Sequence, residues 1–124
     1  MKRSFFALLA LCACGPSAPV TFSELRVEEL AATRAVIRFT TSLPTSCEIE
    51  LGSSAEILDQ HFTDPDMEPG QLVTQHQVPL ENLVPGQRYF FRARAVDAAN
   101  RVFFSAPSQL ETPNAVLSTL SNVA

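Results

Sequence analysis

The chain has 124 residues, with 9 Lys+Arg against 13 Asp+Glu for a formal charge of −4, nine prolines and four glycines. That length allows one domain, and the acidic balance argues against electrostatic binding to nucleic acid or to anionic lipid. Frequent proline suits a turn-rich β protein over a helical bundle.

Residues 1–13 have the make-up of an export signal. Lys2 and Arg3 form a charged start, and Phe5 to Ala13 is an apolar run too short to span a bilayer. Leu11-Cys12-Ala13-Cys14-Gly15 then resembles the lipobox of bacterial lipoproteins, with Leu at −3, a small residue at −1 and Cys at +1. The resemblance implies that Cys14 is acylated and becomes the mature N-terminus. Cys12 stands at −2, where Ala, Ser or Thr is commoner. Taking Cys12 as the modified residue would place Leu11 at −2, which is less usual. Two or more acyl chains anchor stably, at ~0.8 kcal/mol per buried CH₂. Loss of Lys2 and Arg3 with the leader leaves 7 Arg against 13 acids and no Lys, a net charge of −6. Residues 14–19 form a short lipidated tether, stiffened by Pro16 and Pro19. The expected address is the bacterial cell envelope. Gly15 at +2, in place of the Asp that retains some lipoproteins at the inner membrane, points to the outer membrane.

Residues 20–113 read as strands separated by turns. Phe22, Leu25 and Val27 predict a first strand with a bulge near Ser23-Glu24. Ala35, Ile37, Phe39 and Thr41 alternate with Val36, Arg38 and Thr40 in a second, which Leu43-Pro44-Thr45 is expected to break. Cys47, Ile49 and Leu51 mark a third, ending at Gly52. Ile57, Leu58 and Phe62 predict a short edge strand or one helical turn. Asp64 to Gly70 is a loop by composition. Val73 to Leu80 is the next strand. The turn Pro85-Gly86 leads into a strand with Tyr89, Phe91, Ala93 and Ala95 on one face and Arg88, Arg92 and Arg94 on the other. Asp97-Ala98-Ala99-Asn100 is a hairpin turn. A last strand runs from Val102 towards Thr112, and 114–124 is a tail.

Leu83-Val84-Pro85-Gly86-Gln87-Arg88-Tyr89 resembles the corner of a fibronectin type III domain, where a Tyr hydroxyl ties the turn to the backbone. Thr33 to Thr41, Cys47 to Gly52 and Arg94 to Val102 resemble other strands of that family, in order. The resemblance implies an all-β, immunoglobulin-like fold: a seven-stranded antiparallel β-sandwich with Tyr89 as its structural tyrosine corner. Phe39 stands where the family usually has Trp. Ala99 stands where a Gly is usual, so Asn100 is expected to supply the left-handed residue. The sequence is also similar to the β-sandwich that precedes the catalytic domain of purple acid phosphatases. That likeness carries over no catalytic residue.

No pattern of catalysis emerges. His61 and His76 are the only imidazoles, and neither has a Cys or His partner at metal-ligand spacing. Asp59, Asp64, Asp66 and Glu68 lack the register of a calcium loop, and Gly-x-Ser-x-Gly is absent. No enzyme, cofactor or metal site is expected. Cys47 reads as a small buried hydrophobe. The stripe of Arg88, Arg92 and Arg94, with Arg38 expected nearby, reads as pairing with Glu48 or Glu50, with anion or glycan contact the alternative. In the acidic segment 59–70, Phe62 and Met67 read as exposed contacts for a protein partner. The reading is a membrane-anchored lipoprotein whose one domain is a non-catalytic protein-interaction or spacer module, with a protein or glycan partner in the envelope. The alternative is an accessory domain of an exported hydrolase such as a metallophosphoesterase.

Overall fold

A computed structural model describes residues 18–114. Cys12, Cys14, the leader, most of the tether and the tail after Asn114 lie outside those residues. The described chain has seven strands and no helix: β1 (Phe22–Glu28), β2 (Ala35–Gly52), β3 (Gln60–Thr63), β4 (Val73–Leu80), β5 (Arg88–Asp97), β6 (Val102–Phe104) and β7 (Ser108–Glu111). All pairings are antiparallel. One layer holds β1, the first half of β2, and β4. The other holds β3, the second half of β2, β5, and β6 with β7 on the far side of β5. Ile37, Phe39, Val78 and Leu80 from the first layer meet Ile49, Leu51, Phe91 and Ala93 from the second in one core.

The count of seven is reached differently from the sequence expectation. Leu43-Pro44-Thr45 does not break the chain: β2 runs through it for 18 residues. The physical reason is a change of neighbours. The ladder to β4 is regular as far as Thr40↔Gln75, and the ladder to β5 starts at Thr45↔Asp97. Pro44 falls between the two, where its missing N–H costs no ladder bond. The Thr41 hydroxyl donates to the Leu43 carbonyl at 2.8 Å and braces the passage. The last strand, in turn, is split. The Ser105 amide donates to the Ala93 carbonyl at 2.9 Å, and the Ser105 hydroxyl oxygen accepts the Ala93 amide at 2.8 Å. Ala106-Pro107 then leaves β5 before β7 rejoins it. The bulge in β1 lies between Ser23 and Arg26, with Glu24 at φ 56°, and Asn100 is left-handed at φ 64°.

At one end of the sandwich the Tyr89 hydroxyl accepts the Val84 amide at 2.8 Å, with the ring 4% exposed. Near the other end His76 is 3% exposed and stacks on Phe39 at 4.7 Å. Its Nε2 lies 3.0 Å from the Thr41 hydroxyl and 3.2 Å from that of Thr45. Both hydroxyls lie within hydrogen-bond reach of that one nitrogen. Nδ1 is left buried without a hydrogen-bond partner among the described residues. Burial holds the His76 pKa below its ordinary value, against the opposing pull of the Asp64 carboxylate and the Val73 backbone.

Phe62 and Met67 are not the exposed pair expected from the sequence. Both are half-buried against the core. Phe62 faces Ile49 across the β2–β3 ladder, so it shares the buried face. The loop carrying Met67 folds back in tight turns, with the Met67 amide on the Asp64 carbonyl at 3.2 Å and the Gln71 amide on the Glu68 carbonyl at 3.0 Å.

Three outcomes are expected. Tyr89→Phe should cost about 1–3 kcal/mol in urea unfolding, the loss of a buried partner for an amide. An unchanged midpoint would mean water serves Val84 equally well. Replacing Phe62 and Met67 together by Ser should cost on the order of 2 kcal/mol or more, through lost apolar contact and buried hydroxyls. A midpoint equal to the parent's would place both side chains in solvent. His76, with its pKa depressed in the folded state, contributes stability that is complete above its ordinary 6.5 and is lost as the pH falls towards the lower folded value. Stability should therefore drop as the pH falls below the ordinary 6.5, and His76→Gln should flatten that slope. Equal slopes in parent and variant would assign the drop to other groups.

Candidate interaction surfaces

The arginine stripe is spent within the fold. Arg92 Nε donates to Glu50 Oε1 at 2.7 Å, and its guanidinium lies 3.9 Å above the Phe104 ring. Glu50 is 8% exposed, so that bond is largely withdrawn from water. Arg94 reaches Glu48 at 3.4 Å, and Glu48 also takes His61 Nδ1. Arg88 faces Glu111 at 3.9 Å. Arg38 is not near the stripe. It lies in the other layer and bonds Glu28 and Gln77. The arginines of Glu28, chiefly Arg26 and then Arg38, hold its carboxyl below the ordinary carboxylate value.

The acidic segment and the thiol likewise assemble no reactive centre. No three His, Cys, Asp or Glu side chains converge on a metal-sized point among the described residues. Asp64 and Asp66 instead line an open polar hollow of about 230 Å³ with Arg26, Arg38, Gln75 and Gln77. Cys47 is buried, and burial first, then the Asp64 and Glu48 charges, push its pKa up to about 12. At neutral pH it is a thiol and a poor nucleophile.

A surface that the sequence reading missed lies at the end where β2 changes layers. Leu43, Pro44, Leu72, Ala98 and Ala99 form a mainly apolar hollow of about 510 Å³, bordered by Asp97 and Arg101. Leu43 has the same odd parity as the buried residues from Ala35 to Leu51, yet it is 37% exposed because the core ends beneath it. Asp97 organises the turn: Oδ1 accepts the Ala99 amide at 3.0 Å and the Arg101 amide at 2.9 Å, and Oδ2 accepts Arg101 Nε at 2.7 Å. The Arg101 amide, then its side chain, hold the Asp97 pKa below its ordinary value. Arg101 Nη2 goes on to donate to the Ala18 carbonyl at 3.0 Å, so the incoming chain is fastened at this same end. The sequence signal was faint: one Leu before Pro, one Leu after a loop, and two alanines in a turn.

No protein-family model matches the chain, and no curated protein matches it. Solved structures do. A structure described as that of a myokine is 16% identical with a TM-score of 0.63, covering 78% of this chain and 100% of that one. The sensor domain of the anti-sigma factor RsgI4 of Pseudobacteroides cellulosolvens, in its long form, is 16% identical at a TM-score of 0.53, covering 77% and 91%. The fibronectin type III domain of human fibronectin type III domain containing protein 3 is 14% identical at a TM-score of 0.50, covering 81% and 94%. At these identities the likeness is one of fold, and a fold of this kind hosts many roles. The chain is folded as a fibronectin type III-like β-sandwich.

Proposed function

We propose that this protein is a lipid-anchored lipoprotein of the bacterial cell envelope, whose sandwich serves as a non-catalytic interaction or spacer module. The observation that carries the anchor is Leu11-Cys12-Ala13-Cys14 after a basic start and an apolar run. Gly15 at +2 favours the outer membrane. The spacer role is supported by where the domain takes in and releases the chain. Ala18 is held beside the Asp97–Arg101 turn. The other exit lies at the tyrosine corner, where the Pro113 carbonyl accepts the Gly86 amide at 3.1 Å. β5 joins the two ends with ten residues, or roughly 30 Å at the rise of a strand. An anchored N-terminus would therefore hold whatever lies at the corner that far from the membrane surface. The ion pairs across the sheet faces fit a rigid module better than a reaction centre.

Metabolic labelling with a palmitate analogue tests the anchor. Cys14→Ser should abolish the label and stall or release the precursor, while Cys12→Ser keeps it. Label kept by Cys14→Ser and lost by Cys12→Ser would move the site to Cys12. A parent protein that takes no label is not a lipoprotein.

A further inference from the structure

We propose that the end of the sandwich where the chain enters is a lipid-contacting tip, which seats Leu43, Pro44 and Leu72 in the interface of the membrane that anchors the protein. The inference rests on acylation of Cys14. Its first support is reach. Arg101 holds the Ala18 carbonyl at this end. Four residue steps separate Ala18 from Cys14, a span of at most roughly 14 Å when fully extended. An acyl-bearing Cys14 at headgroup depth thus keeps this end, and not the tyrosine corner, beside the bilayer.

The second support is composition. The hollow is walled mainly by Leu, Pro and Ala, and the two charges on its border, Asp97 and Arg101, neutralise each other at 2.7 Å. The nearest acid along the incoming loop is Glu68, whose amide is turned onto the Gln71 side chain. At the opposite end exposed Val84 sits among charges, Glu81 and the pair of Arg88 with Glu111. With no lysine and its acids in excess of its arginines, the domain has little net electrostatic hold on anionic lipid, so the apolar wall of the hollow carries the contact. A patch this small would not hold a free protein on a membrane. A tether of a few residues makes the contact intramolecular, at an effective concentration near the millimolar range. The tip then fixes the domain upright, a second point of contact beside the anchor.

The test uses the acylated protein reconstituted in phosphatidylethanolamine–phosphatidylglycerol vesicles, with a polarity-sensitive thiol dye at Ala98→Cys or, as control, at Glu81→Cys. Both positions are exposed, and the buried Cys47 thiol does not compete for the dye. The dye at position 98 should shift to the blue and be quenched by brominated lipid, and the dye at 81 should do neither. Leu43→Asp should abolish the quenching at 98 while the acyl mass and the fraction sedimenting with vesicles stay as in the parent. The non-acylated form should give no quenching. Water-like emission at both positions on acylated, vesicle-bound protein would overturn the tip and leave the anchor standing. Quenching at both would overturn the upright orientation. A purified protein whose mass lacks acyl chains would overturn the anchor, and the tip with it.

Discussion

Between Thr40 and Thr45 the β4 ladder of β2 breaks register, and at Thr45 the strand pairs Val73 of β4 for the last time and takes up the ladder of β5; the rest of the molecule depends on how that passage is braced. Two buried hydroxyls, Thr41 and Thr45, converge on one imidazole nitrogen of His76. The His76 ring stacks on Phe39, and Phe39 meets Phe22 of β1 at 5.8 Å. The polar cluster therefore ties the bend of β2 to β4 and, through the ring stack, to β1. A buried polar group is costly unless satisfied. Here Nε2 is satisfied and Nδ1 is not. Burial lowers the His76 pKa, so protonation at the crossing works against the fold.

The same passage determines what the surface offers. Because β2 serves both layers, its outward side chains meet partners on both: Arg38 with Glu28 and Gln77 in one, Glu48 and Glu50 with Arg94 and Arg92 in the other. Charges on the sheet faces are thereby paired across strands. Pairs of this kind contribute little each when exposed. The Arg92–Glu50 pair differs, since Glu50 is buried and the guanidinium is sandwiched between carboxylate and Phe104.

The two ends of the sandwich are unlike. The tyrosine corner holds the outgoing chain and mixes charged side chains with exposed Val84. The other end is apolar, holds the incoming chain through Arg101 and carries a residue of core parity, Leu43, in the open. The proposed N-terminal lipid anchor would sit at the end that carries the apolar hollow.

How much of this was legible in the sequence depends on the range of the interaction. Period-two alternation in Tyr89, Phe91, Ala93 and Ala95 is a local consequence of the pleat, so the faces of β5 could be read directly, and so could the turn at Pro85-Gly86. Asn100 as the left-handed residue follows from local sterics in the same way. Three features could not be read locally. Pro44 looks like a strand breaker until its position between two ladders removes the amide that a ladder would have needed. Phe62 and Met67 look exposed within an acidic stretch until the pairing with Ile49 and the turns at Asp64 and Glu68 direct them inward. Leu43, Leu72 and Ala98 are apolar residues scattered over more than fifty positions, and only the closure of the sandwich sets them side by side. The sequence by itself determined the buried faces of the strands and the lipobox-like stretch, because those depend on neighbours within a few residues. The tertiary structure decided which charges are used up, which hydrophobes are core and which end is apolar, because each of those depends on contacts between strands far apart in the chain.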